Sequence, residues 1–521
     1  MNIPQLLEQS CRKDPKKTFL FFEDQEISYQ VFQEDVHRAA KWFLRLEIKK
    51  GDRVCINLPN CPEFLYIWFG LSYIGGIMVP INVAFKEKEA AYILRHSECV
   101  GLVGNEETLR ITKDLHHDMP FLRWVASIDG KADSPGFLDF SSFKQEDGER
   151  SDFMELSDND ISSIMYTSGT TGPPKGVMVT HRAYVCCGQG YTFWADITNQ
   201  DRLFTCLPLY HANAQYYSTM GSLASGGSLI LVNRFSASRF WNQIRQYGAT
   251  IFNFIGAMVV ILMKQPESPL DCQNMVRVAY GTPALDRGLQ DRFEERFGLT
   301  ALAGYALTEC PFGTIQPLHG IRKPKSIGIP RFHPEFENKI RVVNDRGEVV
   351  PIGKVGELII KNPTVTPGYF RDSDETRKVL RNGWLYTGDN AYQDEDGYFY
   401  FVDRKKDVIR RRGENFSSLE IEEVLNAHPK VLESAVIGIP SELSDEEIKA
   451  YVIPKPEEKI DPAEIFRWCE GRLARFKIPR YLEIRESFPK TPTHRVEKYK
   501  LRQERENPAA GCVDREKLRQ R

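Results

Sequence analysis

The chain has 521 residues, 41% apolar and 27% charged, with 69 basic against 71 acidic side chains and a formal net charge of -2. That length exceeds one ordinary core and predicts two or more domains, while the near-neutral balance gives no general pull toward nucleic acid or an anionic membrane surface. The eleven cysteines are scattered without a CxxC pair, which argues against a zinc site or a disulfide scaffold and for reduced, cytosolic thiols.

The N-terminal MNIPQLLEQSCRKDPKK lacks the basic-then-apolar order of a signal peptide. Phe64 to Phe85 is uncharged and long enough to cross a bilayer, yet Gly75, Gly76, Pro80 and Asn82 divide it into an apolar helix, a tight turn and a short strand. It is therefore assigned to a buried α/β core, with no stable membrane insertion. From Asn159 to Ala303, ISSIMY, RLFTCL, SLILV, TIFNF and VRVAY read as strands and Asp286 to Phe297 as a helix, an order that implies largely parallel sheets.

After Lys339 the runs KIRVVNDRGEVV and GELIIKN, broken by turn residues, predict a small β-subdomain. The charged cluster Asp403 to Asp407 then precedes a separate domain of about one hundred residues. In it Ser417 and Glu420 have capping-box spacing, VLESAVIGI and IKAYVI read as strands, and Phe466 to Leu473 as a helix. The expected fold class is α/β: a body of parallel-type sheets flanked by helices plus a small β-subdomain over residues 1–403, then a small, mobile α+β domain over 404–505. Residues 506–521 are polar and charged and read as a disordered tail.

Chemistry concentrates first in YTSGTTGPPKGV, Tyr166 to Val177, directly after a strand. Glycine lets the backbone approach phosphate closely; Thr167, Ser168, Thr170 and Thr171 can donate to phosphate oxygens beside Gly169, and Lys175 offsets their charge. The spacing is not that of a Walker loop. In order along the chain follow LPLYHANAQ from Leu207, GYALTE from Gly304, SIGIP from Ser326, GELII from Gly356, YTGD from Tyr386, DRKKDVIRRRGENFSSLEIE from Asp403 and HPKVLESAVIGIP from His428.

This ordered set resembles the adenylate-forming superfamily, which includes acyl-CoA synthetases, peptide-synthetase adenylation domains and firefly luciferase; the likeness runs from about Thr18 to Arg502. The resemblance implies ATP, Mg²⁺ and coenzyme A as cofactors and gives residues roles. Tyr305 would stack on adenine, with Gly281, Thr282 and Pro283 in the adenine-edge loop. Thr308 would bond the α-phosphate and Glu309 would hold Mg²⁺. Asp389 would take the ribose hydroxyls and Arg404 would reach the same sugar from the other domain. His211 matches the gate beside the acyl pocket, Gly413 the thiol-donor tunnel, and Lys406 the hinge about which the C-terminal domain swings between two half-reactions.

Where the family pattern reads PKTxTGKI, this chain reads PKTPTHRV, so that His494 replaces glycine and Arg495 replaces the lysine that completes adenylation. Arg495 is expected to take over that role, with Lys498 as its rival. Ala306 also stands where glycine is common. Tyr216, Phe252, Phe254, Gly256, Met258, Phe312 and Gly313 would wall the acyl pocket, whose aromatic faces suit a small carboxylic acid and could hold a quaternary ammonium by cation–π attraction. WFGLSYIGGIMVPIN and FKIPRYLEIR look most like carnitine/crotonobetaine-CoA ligases; a medium-chain or aryl acid stays open. The expected activity is that of an AMP-forming acid–thiol ligase in the cytoplasm, a homodimer being an open alternative to a monomer. Against it stand transfer to a carrier-protein thiol, a luciferase-type oxygenase, and an adenylate-binding protein that has lost the first half-reaction.

Overall fold

The computed structural model describes all of the chain except residues 113–118, 131–136, 150–152, 168–173, 283, 405–406, 412–413, 442–445, 491–495, 506 and 519–521. Among the described residues, two large sheets form the body. In the first, strands Leu138–Asp139, Trp124–Ser127, Gly101–Gly104, Arg53–Asn57, Ile77–Pro80 and Ile161–Thr167 are parallel neighbours, and Lys175–Thr180 closes the edge antiparallel. In the second, Thr300–Leu307, Val278–Thr282, Ile251–Ile255, Arg202–Thr205, Ser228–Leu231 and Thr18–Phe22 run parallel, with antiparallel strands added at both ends. The strands read from sequence lie in these sheets because their Val, Ile, Leu and Phe side chains can be buried on both faces.

The uncharged stretch is core. Helix Pro62–Ile74 has no exposed face from Phe64 onward, ends on Gly75 at φ 72, and delivers the chain to strand Ile77–Pro80. Among the described residues no helix is long and apolar enough to cross a membrane. Helix Arg287–Phe297 starts where expected, with the Asp286 carboxylate accepting from the Leu289 amide at 3.0 Å.

The β-subdomain is an antiparallel sheet of Lys339–Val343, Gly356–Lys361, Leu380–Arg381, Trp384–Gln393 and Phe399–Arg404. Beyond it, Val431–Pro440, Glu446–Pro454 and Tyr481–Ile484 form the C-terminal sheet. Ser417 caps helix Ser418–Asn426, but Glu420 does not complete a capping box: its carboxylate takes Lys477 Nζ at 2.6 and 2.8 Å. The disordered tail read from composition also gives way. Val513–Asp514 adds a strand to Tyr481–Ile484, Asp514 pairs with Arg480 at 3.3 Å, and helix Arg515–Leu518 follows.

Candidate active site

The phosphate-type loop joins two antiparallel strands, so Thr167 and Lys175 face each other across its mouth. The return strand Lys175–Thr180 was not among the strands read from the sequence; helix His181–Trp194 follows it. Ser168, Gly169, Thr170 and Thr171 lie outside the described residues, as do Pro283, Lys406, Gly413 and Arg495. Lys175 is ion-paired with Glu375, and its ammonium stands 5.3 Å from the centre of the Tyr369 ring. That partner holds the Glu375 carboxyl below its ordinary range.

Tyr305 lies near the end of strand Thr300–Leu307, and Thr308 and Glu309 form the tip of the hairpin that returns through Cys310–Ile315. The Glu309 main-chain oxygen accepts from the Thr366 amide at 2.8 Å, and its side-chain Oε1 accepts from the Tyr369 hydroxyl at 2.9 Å. Burial pushes the Glu309 carboxyl up; the Tyr369 hydrogen bond and the Arg404 charge oppose that shift. A single carboxylate beside phosphate oxygens is a donor set Mg²⁺ ordinarily accepts, and Glu309 fits it. The Thr308 main-chain oxygen accepts from the Tyr216 hydroxyl at 3.3 Å, tying the hairpin tip to the helical turn Ala214–Thr219.

Asp389 is buried and its Oδ2 accepts from the Tyr305 hydroxyl at 2.6 Å. Arg404 is its cross-strand neighbour in the β-subdomain, Nε 3.7 Å from Oδ1. The sequence assigned Arg404 to the other domain; here its strand belongs to the same antiparallel sheet as Asp389. Gly281 sits between Phe254 and Ala303 in adjacent strands, and any Cβ there would meet the Phe254 oxygen at 2.4 Å, which explains glycine at that position. Thr282 ends the same strand.

His211 follows the turn closed by its amide to the Pro208 oxygen at 3.0 Å. Its Nε2 is buried with no hydrogen-bond partner among the described residues, and burial lowers its pKa to about 4, so the ring is neutral at physiological pH. Lys498 lies away from these groups, inside the C-terminal domain: its ammonium reaches Glu422 Oε1 at 2.8 Å and donates to Ser418 Oγ at 2.7 Å. Of the predicted set, Lys175 and Glu309 meet at Tyr369 and Tyr305 meets Asp389 beside Arg404, whereas Lys498 is committed elsewhere. Tyr369 and Glu375 were missed; the only local signal was the Asp372-to-Glu375 cap, in which the Asp372 carboxylate accepts from the Glu375 amide at 3.0 Å.

Residues 7–370 match the family described as AMP-binding enzyme, and residues 420–495 match the AMP-binding enzyme C-terminal domain. Crotonobetaine/carnitine–CoA ligases of Salmonella paratyphi B and Salmonella typhimurium are each 36% identical over 517 residues, covering 96% of this chain and 99% of theirs. Among solved structures, the anthranilate CoA ligase AuaEII with anthranoyl-AMP aligns at TM-score 0.87 and 26% identity over 97% of both chains. ATP-bound MatB from Rhodopseudomonas palustris aligns at TM-score 0.87 and 25% identity, covering 97% of this chain and 99% of that one.

Proposed function

The chain belongs to the AMP-binding enzyme family, and from that premise we propose that it joins a small carboxylic acid to the thiol of coenzyme A in two steps. The acid's carboxylate oxygen attacks the α-phosphorus of ATP, forming an acyl-adenylate and expelling pyrophosphate. The coenzyme A sulfur, having given up its proton, then attacks the acyl carbon, and AMP leaves.

The observation that carries this reading is the convergence of Lys175, Glu309 and the Tyr305–Asp389 pair, supplied by three separate segments. Lys175 and Thr167 would meet the phosphates, Tyr305 and Asp389 the nucleoside, and Thr308 the α-phosphate. Bound Mg²⁺ would supply charge neutralisation at the leaving pyrophosphate, and Glu309 is the residue to hold it. The neutral His211 ring, with a nitrogen unpartnered among the described residues, suits a gate beside the acyl group. Arg495 would bridge the acid and the α-phosphate once the C-terminal domain turns about Lys406, and Gly413 would line the thiol path after a second turn. The free cysteines suit a reducing cytoplasm.

The test is product analysis with ATP, Mg²⁺, coenzyme A and a panel of acids opened by crotonobetaine and carnitine, the substrates in the relatives' names. AMP, pyrophosphate and a thioester are expected. ADP and phosphate would overturn the adenylate route. Nucleotide binding without pyrophosphate release for any acid would favour a protein that binds adenylate but lacks the first half-reaction.

A further inference from the structure

One buried cation has no counter-ion among the described residues. Arg331 is 1% exposed, and among the described residues no carboxylate pairs with it. Its donors are used instead by neutral oxygens: Nε donates to the Thr314 main-chain oxygen at 3.2 Å and Nη1 to that of Pro311 at 3.3 Å, while Nη2 reaches the hydroxyls of Tyr217, at 3.5 Å, and Tyr280. The guanidinium carbon also faces three rings, 5.1 Å from the centre of Tyr217, 5.3 Å from Tyr280 and 5.6 Å from Phe312. Arginine stays protonated in any such setting, so a full positive charge is held here in surroundings that screen it poorly.

The holders of this charge are next in sequence to residues of the candidate site. Tyr217 follows Tyr216, whose hydroxyl bonds the Thr308 oxygen. Tyr280 precedes Gly281 and Thr282, and Pro311 and Phe312 follow the Glu309 hairpin within its return strand. Phe312, one of the rings expected from the sequence to wall the acyl pocket and to be available to a quaternary ammonium, here faces the protein's own guanidinium instead.

We infer that Arg331 is a specificity-determining residue: the acid activated by this enzyme carries a tail without positive charge, and betaine-type acids are rejected. This rests on the ligase reading above and narrows its substrate class. Even at about 12 Å, a second unit charge at an effective dielectric near 20 is repelled enough to cost about tenfold in binding.

The test compares two unreactive acyl-sulfamoyl adenosines by equilibrium binding, one bearing the 4-(trimethylammonio)butanoyl group and the other its uncharged isostere, 5,5-dimethylhexanoyl. The wild-type protein should bind the uncharged compound at least about tenfold more tightly. Arg331→Met should reduce that preference to less than about threefold, and Arg331→Lys, which keeps the charge, should retain most of it. Equal or tighter binding of the charged compound by the wild type overturns the inference, whether or not either variant folds. Binding of neither compound would sink the adenylate reading itself, and the inference with it.

Discussion

The Tyr369 hydroxyl donates to Glu309 Oε1 at 2.9 Å, while the ring of the same tyrosine lies 5.3 Å beneath the Lys175 ammonium. One side chain therefore touches both the proposed metal carboxylate and the proposed phosphate lysine. Because burial raises the Glu309 pKa and this hydrogen bond lowers it, Tyr369→Phe should move the carboxyl further up. The acid limb of the adenylation pH profile should shift to higher pH, and the Mg²⁺ concentration for half-maximal rate should rise about tenfold, the scale for a hydrogen bond to a charged group. Glu309→Gln should cost more, about 10²- to 10³-fold. An unchanged Mg²⁺ midpoint in Tyr369→Phe would remove the tyrosine from this role.

Lys175 meets a carboxylate before any phosphate arrives. Triphosphate must displace Glu375 from the ammonium, so Glu375→Gln should tighten ATP binding, by about three- to tenfold for the release of a partly exposed pair. Calorimetric titration with ATP checks this. Weaker binding would show that Glu375 supports the lysine rather than competing for it.

For Lys498 the expected cost is structural. Lys498→Met would leave Glu422 buried without its cation, and breaking such a pair destabilises by about 3–5 kcal/mol. The melting temperature and activity should fall together. Arg495→Ala, by contrast, should lose about 10²- to 10³-fold in adenylation at an unchanged melting temperature, with thioester formation from supplied acyl-adenylate nearly intact. A stable Lys498→Met protein without adenylation would transfer the catalytic assignment to Lys498.

His181 predicts an acid limb in stability. Both of its ring nitrogens are buried without partners among the described residues, and burial lowers its pKa from 6.5 to about 4. With the folded value depressed, its neutral form contributes stability that is fully present above pH 6.5 and is lost as pH falls toward 4, reaching about 3 kcal/mol there. His181→Leu removes the titration, so its urea midpoint should fall less between pH 7 and pH 5 than that of the wild type. Parallel curves would assign the acid sensitivity to other groups.

Much of this site could be read along the chain because its parts are local: Thr167 and Lys175 bound one short run and pair across it, and Tyr305, Thr308 and Glu309 share one hairpin. What stayed hidden depends on contacts between distant segments. Nothing around Glu375 announces a lysine far upstream, and Arg331, just past the SIGIP motif, shows no sign of the tyrosines that enclose it. Arg404 was placed in the wrong body because a charge-rich run looks like a linker, although its first residues still complete a strand. The tail misled for a related reason: its polar composition conceals the pairing of Asp514 with Arg480 and of Val513 with Leu482.

That last pairing has a consequence for handling the molecule. A sheet's outermost strand offers unpaired amides and carbonyls to any other chain, and very short terminal strands blunt that offer. Val513–Asp514 serves Tyr481–Ile484 in this way. Trimming the chain before residue 513, as its composition invites, would bare a longer edge carrying Tyr481 and Ile484, and the shortened protein would be the more prone to stick to copies of itself.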